Sequence, residues 1–185
     1  MRRFLACTAL LVGLSHWGFS QTYLVVPFEN TSADPSLAWI GESIAEAIGD
    51  ALVYGRVAVP TRQEREDAAR ELSIPLSGPV PEASLMRLGA ELEAQRIVYG
   101  EFHWIPEEGS SSPAHGQIRI RARLIDLARV ARGPDIEEQG AMANLVQVQT
   151  EVAWKVLRNA RPDQAPSQDE FLAAFPPVRI DAMEN

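Results

Sequence analysis

Lysine is all but missing from this chain: Lys155 is the single lysine, and arginine carries the rest of the positive charge. We read that bias as genomic composition rather than function. Cysteine is as scarce. With Cys7 alone, no intrachain disulfide and no thiolate zinc site can form. Histidine occurs only at positions 16, 103 and 115, a poor basis for a metal centre, and His103 reads as a packed or solvated strand residue. There is no GxGxxG or P-loop to cradle a phosphate, no GxSxG nucleophile elbow and no helical HExxH. Positive charge is also in deficit. A formal net charge of −8 argues against generic binding to nucleic acid or to anionic membrane surfaces.

The longest apolar run, Phe4 to Leu14, is too short for a permanent span. Arg2 and Arg3 precede it, and Gly18 and Ser20 supply the small residues before a cleavage at Gln21. Residues 1–20 therefore read as a secretory signal, with an uncleaved N-terminal anchor as the alternative. Leu5-Ala6-Cys7 does not fit a lipoprotein, because the cysteine precedes the apolar run. Cleavage removes Cys7 and His16, and loss of Arg2 and Arg3 takes the formal charge from −8 to −10. The mature chain would then be periplasmic, without a stable membrane span, and large enough for one domain with a real core.

What remains is patterned. Tyr23 to Phe28 is an apolar strand that Asn30-Thr31-Ser32 breaks. Asp34 then caps a helix whose first position is Pro35. Leu37, Ile40, Ile44, Ala47, Ile48, Ala51 and Leu52 form its apolar stripe, and Gly55 stops it. Arg56 to Val59 reads as a short strand. Thr61 with Glu64 makes a capping box for a charged helix to Leu72, and a proline-rich loop covers Ser73 to Pro81. A helix follows over Glu82 to Gln95, then strands over Arg96 to Ile105 and Gly116 to Leu127 around a polar hairpin loop. Asp135 to Gln139 is a possible edge strand, and Ala141 to Arg158 a second amphipathic helix. Arg161 to Pro166 is a proline-punctuated linker, and Ser167 with Glu170 opens a short helix through Phe175. The order β-α-β-α-α-β-β-(β)-α predicts an α/β fold, with a mixed β-sheet and helices packed on it.

VVPFENTSADPSLAWIGESIAEAI resembles the TolB-like amino-terminal domain, which also stands at the front of bacterial tetratricopeptide-repeat (TPR) proteins. Pro27, Phe28, Asn30, Ser32, Asp34, Pro35 and Trp39 carry the likeness. LGAELEAQRIVYGEF (Leu88, Gly89, Ala90, Val98, Gly100) and IRIRARLIDLARV (Leu124, Ile125, Asp126) extend it. These motifs are structural rather than catalytic. The resemblance implies a TolB-like α/β domain over residues 21–160. Residues 161–185 would be a linker and short helix leading to repeats that this chain does not contain. It also implies a non-catalytic role in the cell envelope, with a protein partner. In that bacterial setting the glycosylation sequon Asn30-Thr31-Ser32 is taken as chance.

Two patches are candidates for binding. Asn30, Thr31, Ser32 and Asp34 lie where a first strand meets a helix N-terminus, and Trp39 stands off the apolar stripe as a potential anchor. Arg119, Arg121 and Arg123 alternate with apolar residues, so all three share one sheet face, which helices leave uncovered along this strand. The plain alternatives are a locally bonded turn, a tryptophan packed on a loop, and arginines offset by acids such as Glu101. A small anionic ligand at the Asn30 to Asp34 turn is the second functional reading. A hydrolase using Glu42 and Glu46 is a third, but like charges one turn apart are common on solvated helices. No enzymatic activity, cofactor or metal is expected. Gly100, mid-strand, marks a bulge or a close backbone approach, and Asp126 a turn acceptor.

Overall fold

The computed structural model describes residues 21–109 and 115–176. The expected signal, the tip of the hairpin loop and the tail from residue 177 lie outside the described residues. Within them the chain forms a six-stranded mixed sheet. β1 (Tyr23–Val25) and β2 (Glu29–Asn30) pair in parallel with β3 (Arg96–Pro106). β4 (Gly116–Asp126) runs antiparallel to β3. On its far side β4 pairs with β5 (Ala131–Arg132) and β6 (Ile136–Ala141). Helix α1 (Trp39–Tyr54) and helix α4 (Leu145–Ala160) cover one face. On the other face α2 (Arg62–Glu71) and α3 (Glu82–Glu91) cover the end nearest Leu24, Ile97 and Ile125. This is the expected α/β class with a mixed sheet.

Local sequence explains most of these elements. Both capping boxes form: Thr61 and Glu64 start α2, and Ser167 and Glu170 start α5 (Gln168–Ala174). Asp34 accepts from the Ser36 N–H, as an N-cap should, but what it caps is a 3-10 turn over Pro35–Ala38 that leads into α1. The alternation in β4 buries Ile118, Ile120, Ala122 and Leu124 under α1 and α4, with the arginines opposite. In α5, Phe171 is buried and meets Tyr54 and Phe175 edge-on or tilted. Trp104 and Trp154 lie at the edge of the larger core, and the Trp154 indole donates to the Pro166 carbonyl at 3.1 Å.

Several boundaries differ from the sequence pattern. The first strand stops at Val25, and Asn30, expected to break it, pairs with Phe102 instead. Arg56 to Val59 is not a strand: only Ala58 bridges to Thr22. The α3 helix ends at Glu91, and Glu93 adopts a left-handed φ of 51°. The last long helix begins at Leu145 after a 3-10 turn, since Met142–Asn144 carries the chain off β6.

The register between β1/β2 and β3 contains one extra residue. Val25 pairs with Val98 and Glu29 with Glu101, so Val26, Pro27 and Phe28 oppose only Tyr99 and Gly100. This is a bulge, and it inverts which face each side chain takes. Phe28 therefore turns into the core with Tyr23 and Val25, and Glu29 turns to the opposite face. Pro27, with no N–H to donate, is tolerated there. Two glycines make room for Phe28. A Cβ on Gly41 would lie 2.1 Å from the Phe28 carbonyl oxygen, and a Cβ on Gly100 would lie 2.5 Å from the Phe28 ring. The Phe28 N–H donates to the Gly41 carbonyl at 3.0 Å, so α1 sits directly on the bulge.

A buried cation ties the same region together. Arg65 of α2 is 5% exposed; it donates to the Val25 carbonyl at 3.0 Å and forms an ion pair with Glu42 of α1. Glu46 reaches only exposed Arg62, at 3.3 Å.

Two predictions follow from this packing. Gly41→Ala forces a Cβ against backbone and is expected to cost about 3 kcal/mol in urea unfolding. Gly49→Ala, in the same helix with nothing nearer than Val59 at 3.9 Å, is expected to stabilise by about 0.5–1 kcal/mol. Glu42→Ala strands the Arg65 guanidinium and is expected to cost about 3 kcal/mol. Glu46→Ala should leave the urea midpoint where it is. Equal behaviour of the two glutamate variants would refute the structural role given to Glu42.

Candidate functional site

The bulge and the turn after it shape a groove. Asn30 holds the turn from within: its Nδ2 donates to the Asp34 carbonyl at 2.8 Å, and its Oδ1 accepts from the Ser32 N–H at 2.9 Å. The turn is also laced to the end of β3. Thr31 Oγ1 donates to the Phe102 carbonyl at 3.0 Å and lies 3.2 Å from His103 Nδ1, and Ser32 Oγ accepts from the Trp104 N–H at 2.7 Å. Asp34 is held below the usual carboxylate range by the hydrogen bonds it receives from Ser36. An anion at this helix start would meet N–H groups already bonded and a carboxylate already in place.

Asn30 and Ser32 form one wall of a groove of about 610 Å³, whose other wall is the Leu76-Ser77-Gly78 stretch of the proline-rich loop. Phe28, Pro35 and Ala38 line it between them. Trp39 follows Ala38 and is 55% exposed.

The arginines do share one face, on the part of the sheet that α2 and α3 leave open. Each faces a partner across the ladder. Arg121 sits between Glu137 at 3.0 Å and Glu101 at 3.4 Å, and Arg123 reaches Glu101 at 3.0 Å. Arg119 bonds Gln139 at 3.1 Å and lies 3.4 Å from Glu137. The Glu137 bond raises the already high pKa of Arg121 further. The two candidate patches also touch: Thr31, His103, Arg119 and Arg121 line a shared depression of about 170 Å³.

A second cavity, of about 260 Å³, opens between that face and the proline-rich loop. Tyr99 donates its hydroxyl to Glu82 at 2.9 Å, and Glu82 pairs with Arg132 at 2.8 Å. The Arg132 and Tyr99 bonds hold Glu82 below the usual carboxylate range, and burial pushes the Tyr99 phenol up. Glu29, Glu101 and Arg123 also line it. Sequence reasoning missed Glu29, Tyr99, Glu82 and Arg132 because only folding brings them together. The conspicuous signal was Pro79-Val80-Pro81 after Gly78, a rigid loop that had to lie against something.

Glu42 and Glu46 share a helix face as the sequence implies, but each is occupied by an arginine. Among the described residues no group of three or more His, Cys, Asp or Glu is placed to hold a metal ion, and no helix is long and apolar enough to cross a membrane.

No family model and no curated protein sequence matches the chain. Among solved structures it is similar to the LpoB C-terminal domain from Escherichia coli, at 11% identity and a TM-score of 0.50, over 66% of this chain and 83% of that one. The same domain from Salmonella enterica gives 12% identity and a TM-score of 0.49 over the same shares. TolB from Acinetobacter baumannii gives 11% identity and a TM-score of 0.41, over 76% of this chain and 29% of that one. The mixed sheet with its helices is thus a fold shared with the LpoB C-terminal domain.

Proposed function

We propose that this chain is an exported, non-catalytic interaction domain of the bacterial cell envelope. It binds a protein partner along the edge from Asn30 to Trp39 and over the neighbouring arginine face. The observation that carries the reading is Trp39, more than half exposed at the start of a helix whose preceding turn walls a groove of about 610 Å³. A large aromatic ring held in water beside an apolar groove is the usual anchor of a protein contact. The fold shared with the LpoB C-terminal domain and the TolB-like motifs of the sequence support the same setting. The signal-like residues 1–20 support export, and the resemblance of the tail sequence to a segment that precedes TPR repeats supports a place ahead of such repeats, although its first part, through Phe175, packs on the domain.

The arginine face contributes specificity more than affinity. Its guanidiniums are already paired on the exposed surface, so a partner must exchange those bonds rather than satisfy free charges.

Photo-crosslinking tests the reading. A photoreactive phenylalanine analogue at Ala33, in envelope extract, is expected to capture one protein species, and Trp39→Ala is expected to abolish the capture without changing the unfolding midpoint. The same analogue at Val130, which is exposed elsewhere, should capture nothing specific. Equal capture at both sites would sink the reading. A melting temperature raised by inorganic phosphate instead, and lost with Asn30→Ala, would favour the small-anion alternative.

A further inference from the structure

The two cavities beside the bulge adjoin: Pro27 and Gly78 line both the apolar trough on the α1 side and the charged cleft on the open face. The cleft does not balance its charges. Arg132 is taken by Glu82 at 2.8 Å and Arg123 by Glu101 at 3.0 Å. Glu29 lines the same cleft, and among the described residues no cation lies within ion-pair distance of it. Its neighbour across the β2–β3 register is Glu101, another carboxylate. Like charges directly opposite each other are unfavourable. The bulge inverts the facing of the chain, and in doing so sets Glu29 in that position.

We propose that these two adjoining cavities together receive a segment of the protein partner in which an arginine or lysine stands beside an apolar residue. The basic side chain enters the cleft against Glu29, and the apolar side chain lies in the trough beside Phe28 and Leu76. This rests on the protein-interaction reading above and names the chemistry of what is bound.

Charge decides between occupants. An anion would meet guanidiniums whose charge Glu101 and Glu82 already offset, with Glu29 beside them. A cation meets an unpaired carboxylate, and the Tyr99 ring among the cleft's lining offers a face for cation–π contact. A bare amine or guanidine would leave the trough of about 610 Å³ empty, so the observed pair of sites fits a peptide rather than a small cation. The geometry around the bulge is also held firmly before any partner arrives. Phe28 is buried, and Glu42, which lines the trough, is pinned by Arg65. Little ordering is therefore left for the moment of binding.

The test is an amide-shift titration of the isotopically labelled chain with two capped dipeptides, acetyl-leucyl-arginine amide and its uncharged isostere acetyl-leucyl-citrulline amide. The arginine peptide is expected to shift Phe28, Glu29, Gly78 and Gly100. It should bind about tenfold more tightly than the citrulline peptide, the effect of one charge-assisted hydrogen bond. Glu29→Gln should erase that difference, and Glu93→Gln, on an exposed turn, should keep it. Equal binding of the two peptides, a difference that survives Glu29→Gln, shifts confined to the arginine face, or no shift at about 10 mM peptide would each overturn the proposal. Capture at position 33 separates this failure from the wider one: if it persists while the titration fails, the domain still binds a partner, but not through a basic side chain at Glu29.

Discussion

The contact on which the rest depends is Phe28 between two glycines. Its carbonyl lies against Gly41 of α1 and its ring against Gly100 of β3, and its N–H is bonded to the Gly41 carbonyl. Burying such a ring contributes roughly 2–3 kcal/mol, but its geometric effect is wider. The ring can point inward only because one extra residue on the edge strand inverts the facing at that point. The same inversion exposes Glu29, carries Pro27 over the sheet edge, and ends the strand where Asn30 can lace the turn to β3. The packing and the shape of the groove thus follow from one local irregularity. Bulges commonly sit where a strand must re-aim a side chain.

Coverage of the sheet decides where anything can bind. The face under α1 and α4 is filled by the larger core cluster, while the smaller cluster under α2 and α3 ends near Tyr99. Beyond it, β3, β4 and β6 present charged and polar side chains to solvent. There the alternation of arginine and glutamate across the ladder makes an exposed face soluble without helices. Glu137 and Gln139 on the edge strand do for Arg121 and Arg119 what a covering helix does elsewhere. Such a face keeps its charges paired and solvated across the ladder.

Local signals were legible in the sequence, and they were legible for physical reasons. The capping boxes at Thr61–Glu64 and Ser167–Glu170 are bonds between residues three apart, so the chain states them outright. The period-two pattern of β4 fixed both its core face and its arginine face. Gly100, read as a bulge or a close backbone approach, is a close approach: a Cβ there would lie 2.1 Å from the Arg121 carbonyl oxygen. The failures are where distant parts of the chain meet. Asn30 looks like a strand breaker and is a strand residue, because β3 supplies the pairing. Arg56 to Val59 looks like a strand and has only Thr22 to bridge to. Arg65 reads as one more charge on a solvated helix, yet it is buried, since Val25 and Glu42 both lie within its reach. Glu29 carried no signal at all, because nothing in VVPFEN shows that β3 lacks a matching residue.

Arg65 also explains why the groove keeps its shape. Taking a guanidinium out of water is expensive, and one paired carboxylate with one backbone carbonyl does not replace its full hydration. Among the described residues its Nε has no hydrogen-bond partner. What the pair provides is position: α2, α1 and β1 are fixed to one another at a single point, a few residues from the bulge. A hydrophobic residue there could stabilise as much, but it would leave Glu42 only the exposed Arg62, 3.7 Å away, and freer to compete with Glu29 for an incoming cation. With Glu42 held on Arg65, Glu29 is the one carboxylate lining the groove that has no ion pair among the described residues. The charge pattern therefore discriminates by position, and it does so from inside the fold.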